Sequence, residues 1–273
     1  MKFNYFDVHS HLNLTPLLEN KDEIINTMRE KSIVTITVGV DYETSKIAID
    51  LAQKNPDILW ATVGQHPNDN PEEEFIYDDY LKLAMNSKVV AIGECGLDYF
   101  RLKVTGDRLK YEEEKQRQKE LFMQHVKLAI ETGKPLMIHA RPAKDSMDAY
   151  NDVLDILESY LLGSSTSKLG VNFHFFVGNI EIADRIIKNN WTMSFDGPIT
   201  FTNDYDQVIK HIPIENIMCE TDAPFAAPTP YRSQTNYPQY VEHIYKRIAE
   251  IKEITLEDFK NQMFINVKNN FNI

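Results

Sequence analysis

Eight short β-branched or apolar runs recur along the chain, with helix-like stretches between them, and this alternation restricts the fold more than any other feature. The runs are Phe3–His9, Ser32–Val40, Ile58–Gly64, Lys88–Glu94, Pro135–His139, Gly170–Phe175, Trp191–Phe195 and Asn216–Glu220. Amphipathic segments such as Asp22–Glu30, Tyr42–Lys54, Glu113–Glu131, Lys144–Tyr160 and Ile180–Asn189 separate them. Strand and helix in turn imply a parallel sheet covered by helices. Eight repeats in 273 residues predict an α/β fold of the distorted (β/α)8 TIM-barrel type, for which ~250 residues is usual. No glycine-rich phosphate loop follows the first run, which counts against an open dinucleotide-binding sheet. No boundary divides the chain, so residues 1–273 are expected to form one domain. The stretch Leu162–Lys168 reads as a surface loop on the barrel face away from the chemistry. The acidic run Pro71–Asp79 and the charged Glu112–Glu120 read as solvated faces.

The first run ends in Phe6-Asp7-Val8-His9-Ser10-His11. A strand's period of two sends Asp7, His9 and His11 to one face. Two imidazoles two residues apart on a strand can reach one metal ion, whereas helical pairs stand three or four apart. Two incidental strand histidines are the bland alternative, so the rest of the chain must supply other ligands.

A barrel places its chemistry at the C-terminal ends of its strands. His9 and His11 end the first run, Glu94 the fourth and His139 the fifth; His174 falls at the end of the sixth, and Asp222 follows the eighth. His66 comes just after the third, in Gly64-Gln65-His66-Pro67. Five of the eight histidines therefore lie at strand ends, and only His125, His211 and His243 fall on helices or loops. A buried carboxylate without a partner is costly, and a metal is one of few partners that satisfies several ligands together. His9, His11, Glu94, His139, His174 and Asp222 exceed what one ion needs, so two divalent ions sharing a carboxylate are expected. Two such ions sit ~3.5–4 Å apart and activate a bridging water.

The formal charge of −12 argues against whole-molecule attraction to nucleic acid or an anionic membrane. It does not exclude a polyanionic substrate at a mouth where cations and a basic rim dominate. Only Cys95 and Cys219 are present, which fits a reducing cytoplasm. By alternation each points away from its neighbouring carboxylate, Glu94 or Glu220. No run approaches a membrane span, no apolar leader is visible, no obligate protein partner is legible, and a monomer is expected.

The stretches FDVHSHLN, GQHP, IGECGLDY, PLMIHAR, NFHFFVGN, MSFDGPITF and ETDAPF follow one another along the chain. In order and spacing they resemble the TatD-related metal-dependent deoxyribonucleases, relatives of the amidohydrolase superfamily, and the resemblance runs from Asp7 to Phe271. It implies that His9, His11, Glu94 and Asp222 hold one metal, with Glu94 bridging to a second held by His139 and His174. It implies a nuclease that hydrolyses DNA phosphodiesters, often as a 3′→5′ exonuclease on single strands, with Mg2+ or a similar ion. Phe175 stands where the family usually has cysteine, Asn190 where glycine often precedes the seventh strand, and Arg232-Ser233 replaces a familiar Arg-Gly turn. The loop between Tyr99 and Tyr111 is also longer than usual.

Asp222 is the candidate general base, with a role as ligand alone as the alternative, and Glu94 the shared catalytic carboxylate. Glu220, on the same strand face, is a candidate to brace a ligand. His66 is a candidate hydrogen-bond donor to phosphate. Arg101, Lys103, Arg108, Lys110, Arg141, Lys144 and Arg232 lie on loops of one barrel face, with Phe100, Phe225 and Tyr231 as candidate stacking partners for bases. Solvated loop charge is the competing reading. Imidazole ligands favour Zn2+, Mn2+ or iron, while Mg2+ prefers oxygen, so Mg2+ or Mn2+ in turnover with Zn2+ in purified protein is expected. The competing functions are an amidohydrolase-type enzyme for a small amide or ester, a non-catalytic barrel serving as a binding scaffold, and an RNA-directed exonuclease.

Overall fold

Mostly buried residues make up the eight strands of the computed structural model, which describes residues 3–68, 74–102, 108–163 and 169–273. The strands are β1 (Tyr5–Ser10), β2 (Ile33–Thr37), β3 (Leu59–Val63), β4 (Val89–Asp98), β5 (Leu136–Arg141), β6 (Val171–Phe173), β7 (Thr192–Phe195) and β8 (Ile217–Cys219). They pair in chain order, every neighbour parallel. The ring closes where Ser10 bridges to Ala223: the His11 N–H donates to the Ala223 carbonyl at 2.7 Å, and the Asp222 N–H to the His9 carbonyl at 2.9 Å. The predicted eight-stranded barrel is present.

Helices cover the outside: α1 (Lys21–Lys31), α2 (Tyr42–Lys54), α3 (Tyr77–Ala84), α4 (Arg108–Thr132), α5 (Asp148–Gly163), α6 (Ile180–Lys188), α7 (Asp206–His211), α8 (Val241–Ile251) and α9 (Leu256–Phe271). Local chemistry starts several of them. Asp41 accepts the Thr44 N–H at 2.7 Å while the Thr44 hydroxyl accepts the Asp41 N–H at 2.9 Å, a reciprocal cap for α2. Asn179 caps α6 by accepting the Ile182 N–H at 3.0 Å. Such caps contribute ~1 kcal/mol each. In α6, Ile182 and Ile186 stand four apart and are buried, the spacing of a helix with one face on a sheet. None of the described helices is long and apolar enough to cross a membrane.

The expected strand limits need one adjustment that matters for the site. β4 does not stop at Glu94 but runs on to Asp98, and β5 runs past His139 to Arg141. The β4–β5 register shifts between Ile92 and Cys95, after which Gly96 pairs with His139 and Asp98 with Arg141. Glycine makes that approach possible. Gly96 has φ +138°, and a Cβ there would lie 2.0 Å from the His139 carbonyl oxygen. At Gly93, φ +147°, it would lie 2.4 Å from the Met137 carbonyl oxygen. The acidic stretch expected as a solvated face ends inside α3, whose Tyr80 and Ala84 are buried. Residues 69–73, 103–107 and 164–168 lie outside the described set, and with them Lys103 and most of the loop expected at Leu162–Lys168.

Candidate metal centre

Strand ends and the turn after β8 bring the candidate residues together. His9 lies on β1, with His11 just beyond it; Glu94 lies on β4, His139 on β5, His174 follows β6 and Asp222 follows β8. All but His139 are buried, and the His139 side chain is 12% exposed. Asp7, expected on the same face, has another task. Its carboxylate accepts the Thr221 N–H and hydroxyl, both at 2.8 Å, and so holds the turn that carries Asp222.

The two oxygens of Glu94 face two separate nitrogen pairs. On one side His9 Nε2 and His11 Nε2 are 3.1 Å apart, and lie 3.4 and 3.7 Å from Glu94 Oε2. Asp222 Oδ1 completes that group, 3.6 Å from His9 Nε2 and 3.3 Å from His11 Nε2. On the other side His139 Nδ1 and His174 Nε2 are 3.2 Å apart, at 2.9 and 2.8 Å from Glu94 Oε1. His9, Glu94 and His174 also form a compact set of possible ligands, as do His9, His11 and Asp222.

Tautomers decide what these nitrogens offer. His11 Nδ1 lies 3.1 Å from the Val38 carbonyl, which can only accept, so the proton is on Nδ1 and Nε2 carries a lone pair. His174 Nδ1 likewise faces Glu220 Oε1 at 3.2 Å, leaving its Nε2 lone pair aimed at the centre. Lone pairs converging at such distances repel unless a cation or proton lies among them. The donor set therefore fits divalent cations on both sides of Glu94, and its nitrogen content suits Zn2+ or Mn2+.

His66 behaves differently. Its Nδ1 accepts the Asn68 N–H at 3.2 Å, so the neutral ring carries its proton on Nε2, 3.7 Å from Glu94 Oε1. It groups spatially with Glu94 and His139, but it presents a donor, not a ligand lone pair.

The charges are matched. Burial raises the pKa of Glu94, but His174, His139 and His9 outweigh it and hold the carboxyl well below its ordinary range. Burial likewise raises Asp222, and His11 and His9 bring it below its ordinary value. Burial lowers His174, yet Glu94 and Glu220 pull it well above the usual imidazole value. These carboxylates demand positive charge at the centre, which a divalent cation supplies without protonating the rings.

Glu220 is fully used. Its Oε1 accepts the Phe175 N–H at 2.6 Å beside His174, and its Oε2 accepts the Ser194 hydroxyl at 2.6 Å. It braces His174 from the position just after β8, as expected of it from the sequence. From the sequence Asp98 is passed over, although it lies inside the IGECGLDY stretch, and His125 is left on a helix. Asp98 is fully buried at the end of β4, with Oδ2 3.4 Å from His139 Nε2. His125, buried on α4, accepts the Gln65 N–H at 2.9 Å and so supports the segment that carries His66. Cys95 and Cys219 are buried and stand outside every possible ligand group among the described residues.

Above the centre opens a cavity of about 610 Å³ with His11, Glu94, His139, His174 and Asp222 in its wall. Arg101 and Arg141 line it, as do Phe100, Phe175 and Phe225. The Arg141 guanidinium lies 4.2 Å from the Phe100 ring centre. Arg232 and Tyr231 do not line the cavity: Arg232 stacks on Phe201 at 3.9 Å, and Tyr231 on Tyr240 at 3.8 Å. Lys110 and Lys144 are exposed and also outside its wall.

A sequence model of TatD-related DNases matches residues 6–272. The chain is 35% identical to the uncharacterized metal-dependent hydrolase YabD of Bacillus subtilis, covering 98% of this chain and 99% of that protein. It is 33% identical to the uncharacterized metal-dependent hydrolase MG009 of Mycoplasma genitalium, with 98% of each chain covered. In fold it is similar to YJJV, a TatD homolog from Escherichia coli, with a TM-score of 0.82 at 23% identity over 98% of both chains.

Proposed function

The chain belongs to the TatD-related DNase family of metal-dependent hydrolases, and on that premise we propose that it cleaves DNA phosphodiester bonds as a 3′→5′ exonuclease on single strands. The observation that carries this reading is the division of nitrogen donors between the two oxygens of one buried carboxylate. In our reading one divalent cation is held by His9, His11, Asp222 and Glu94, and a second by Glu94, His139 and His174. Bound there, Mg2+ or Mn2+ in turnover, or Zn2+ on purification, would lower the pKa of water and draw charge from the phosphoryl oxygens.

The remaining work falls to side chains. Asp222, kept ionised by His11 and His9, accepts the proton of the attacking water. His66 donates its Nε2 proton to a phosphoryl oxygen, a role its Asn68 contact prepares. Arg141 and Arg101, which line the cavity, attract the phosphates of adjoining nucleotides, with Lys103 and Arg232 as further candidates from the sequence. Phe100 and Phe225, both exposed, offer faces to bases. The protein acts as one domain over residues 1–273, as a monomer in the cytoplasm.

The test is elemental analysis of the purified protein, then degradation of end-labelled single- and double-stranded DNA with added Mg2+, Mn2+ or Zn2+. Loss of nucleotides from the 3′ end of single strands is the expected result. Cleavage of RNA alone, or of small amides or esters alone, would overturn it. Asp222→Asn should keep bound metal and lose turnover; loss of both together would make Asp222 a ligand only.

A further inference from the structure

The end of β4 is clamped from α4, and the clamp fixes where Asp98 can point. The Asp98 N–H donates to Gln118 Oε1 at 2.9 Å, and its carbonyl accepts from Gln118 Nε2 at 3.3 Å. Oδ1 accepts the Arg101 N–H at 2.9 Å. Oδ2 has Arg101 Nε at 3.5 Å but no hydrogen bond within the described residues, and neither has His139 Nε2, although both are buried and stand 3.4 Å apart. A carboxylate oxygen can only accept. One arrangement satisfies both atoms: His139 carries its proton on Nε2 and aims it at Asp98.

We propose that Asp98 is a positioning residue that holds His139 in the Nε2–H tautomer, so that Nδ1 presents its lone pair beside Glu94 Oε1. This rests on the reading of His139 as a metal ligand. The Val38 carbonyl and Glu220 do the same for His11 and His174, but at Nδ1, leaving Nε2 to face inward. His139 is turned the other way round. The cause lies in β4: the strand continues past Glu94 alongside β5, which brings Asp98 to the far edge of the His139 ring. Partners of this kind typically change metal affinity about 10–100-fold.

Asp98→Asn separates positioning from mere support of the loop. The amide oxygen can still accept the Arg101 N–H, which turns the NH2 group toward His139 Nε2 and favours the opposite tautomer. Mn2+ titration of chelator-treated full-length protein, followed by electron paramagnetic resonance of free Mn2+, should show two classes of site in the wild type. In the variant the second class should weaken about 10–100-fold, with the first unchanged. Equal binding by variant and wild type would overturn the proposal while leaving the metal centre intact. Absence of Mn2+ binding by the wild type would overturn the metal-centre reading, and this inference with it. A measurement on Zn2+-loaded wild type needs no variant: 15N-resolved spectra should show His139 bound through Nδ1 and protonated on Nε2, and binding through Nε2 would refute the idea.

Discussion

Acidification from about pH 7.5 to about pH 5 should weaken the fold by ~2 kcal/mol through the single imidazole of His125. The ring is fully buried on α4, its Nδ1–H donates to the Leu121 carbonyl at 2.9 Å, and its Nε2 accepts the Gln65 N–H at 2.9 Å. Burial disfavours the imidazolium and lowers the pKa from 6.5 to about 4, against a smaller opposing effect of the Leu121 carbonyl. In the unfolded chain the ring regains its ordinary value, so the unfolded state takes up the proton first. His125's contribution is therefore complete above about pH 6.5 and is lost as pH falls toward 4. At ~1.4 kcal/mol per unit the limiting loss is about 3.5 kcal/mol, of which ~2 kcal/mol is reached by about pH 5. Urea unfolding of the wild type and of His125→Gln at the two pH values isolates the effect. The glutamine oxygen can accept the Gln65 N–H but takes up no proton, and the acidic groups common to both proteins cancel. The variant should lose ~2 kcal/mol less than the wild type over the interval, whatever its stability at neutral pH. Equal losses, or a His125 pKa of about 6 or higher by NMR, would refute the reasoning.

Gly96→Ala should cost the fold ~3 kcal/mol or more, because the new methyl meets the His139 carbonyl in a backbone conformation closed to alanine. Urea unfolding with circular dichroism checks this, and a loss under ~1 kcal/mol would mean that β4 and β5 separate readily. Mn2+ at about a hundred times its Kd should raise the unfolding free energy by ~2.7 kcal/mol, seen as a higher Tm that EDTA reverses. No shift in Tm would count against resident metal. Arg101→Glu with Arg141→Glu should weaken binding to a single-stranded oligonucleotide and flatten its salt dependence by ~0.7 in log–log slope for each phosphate that the protein ceases to neutralise. A slope equal to the wild type's would remove both from the path of the DNA.

The strands were legible because each is a dense apolar run between helical segments, and the ligand candidates because strand ends collect at one face. What escaped depended on neighbours distant in the chain. From the sequence the fourth run ends at Glu94, yet β4 continues through Gly96, where only glycine lets β5 approach. Asp98 means little until His139 is placed beside it on β5. His125 is one histidine on a long helix, and nothing in its vicinity announces that its acceptor serves the Gln65 amide. Asp7 obeyed the alternation but was claimed by Thr221, a partner at the other end of the sequence. Tyr231 and Arg232 were placed on the right loop, but local aromatic partners, Tyr240 and Phe201, draw them off the cavity wall. The carboxylates of its first turn, Asp78 and Asp79, disguised α3 as part of the acidic run.

The seam of the barrel runs through the chemistry. His9 and Asp222 meet only because the strand made first and the strand made last are laced together by Ser10, Ala223, Asp7 and Thr221. During synthesis the early histidines must wait for most of the polypeptide to leave the ribosome before Asp222 can join them. A chain still short of β8 therefore cannot bring His9 and Asp222 together, and the proposed centre forms only when the ring is whole.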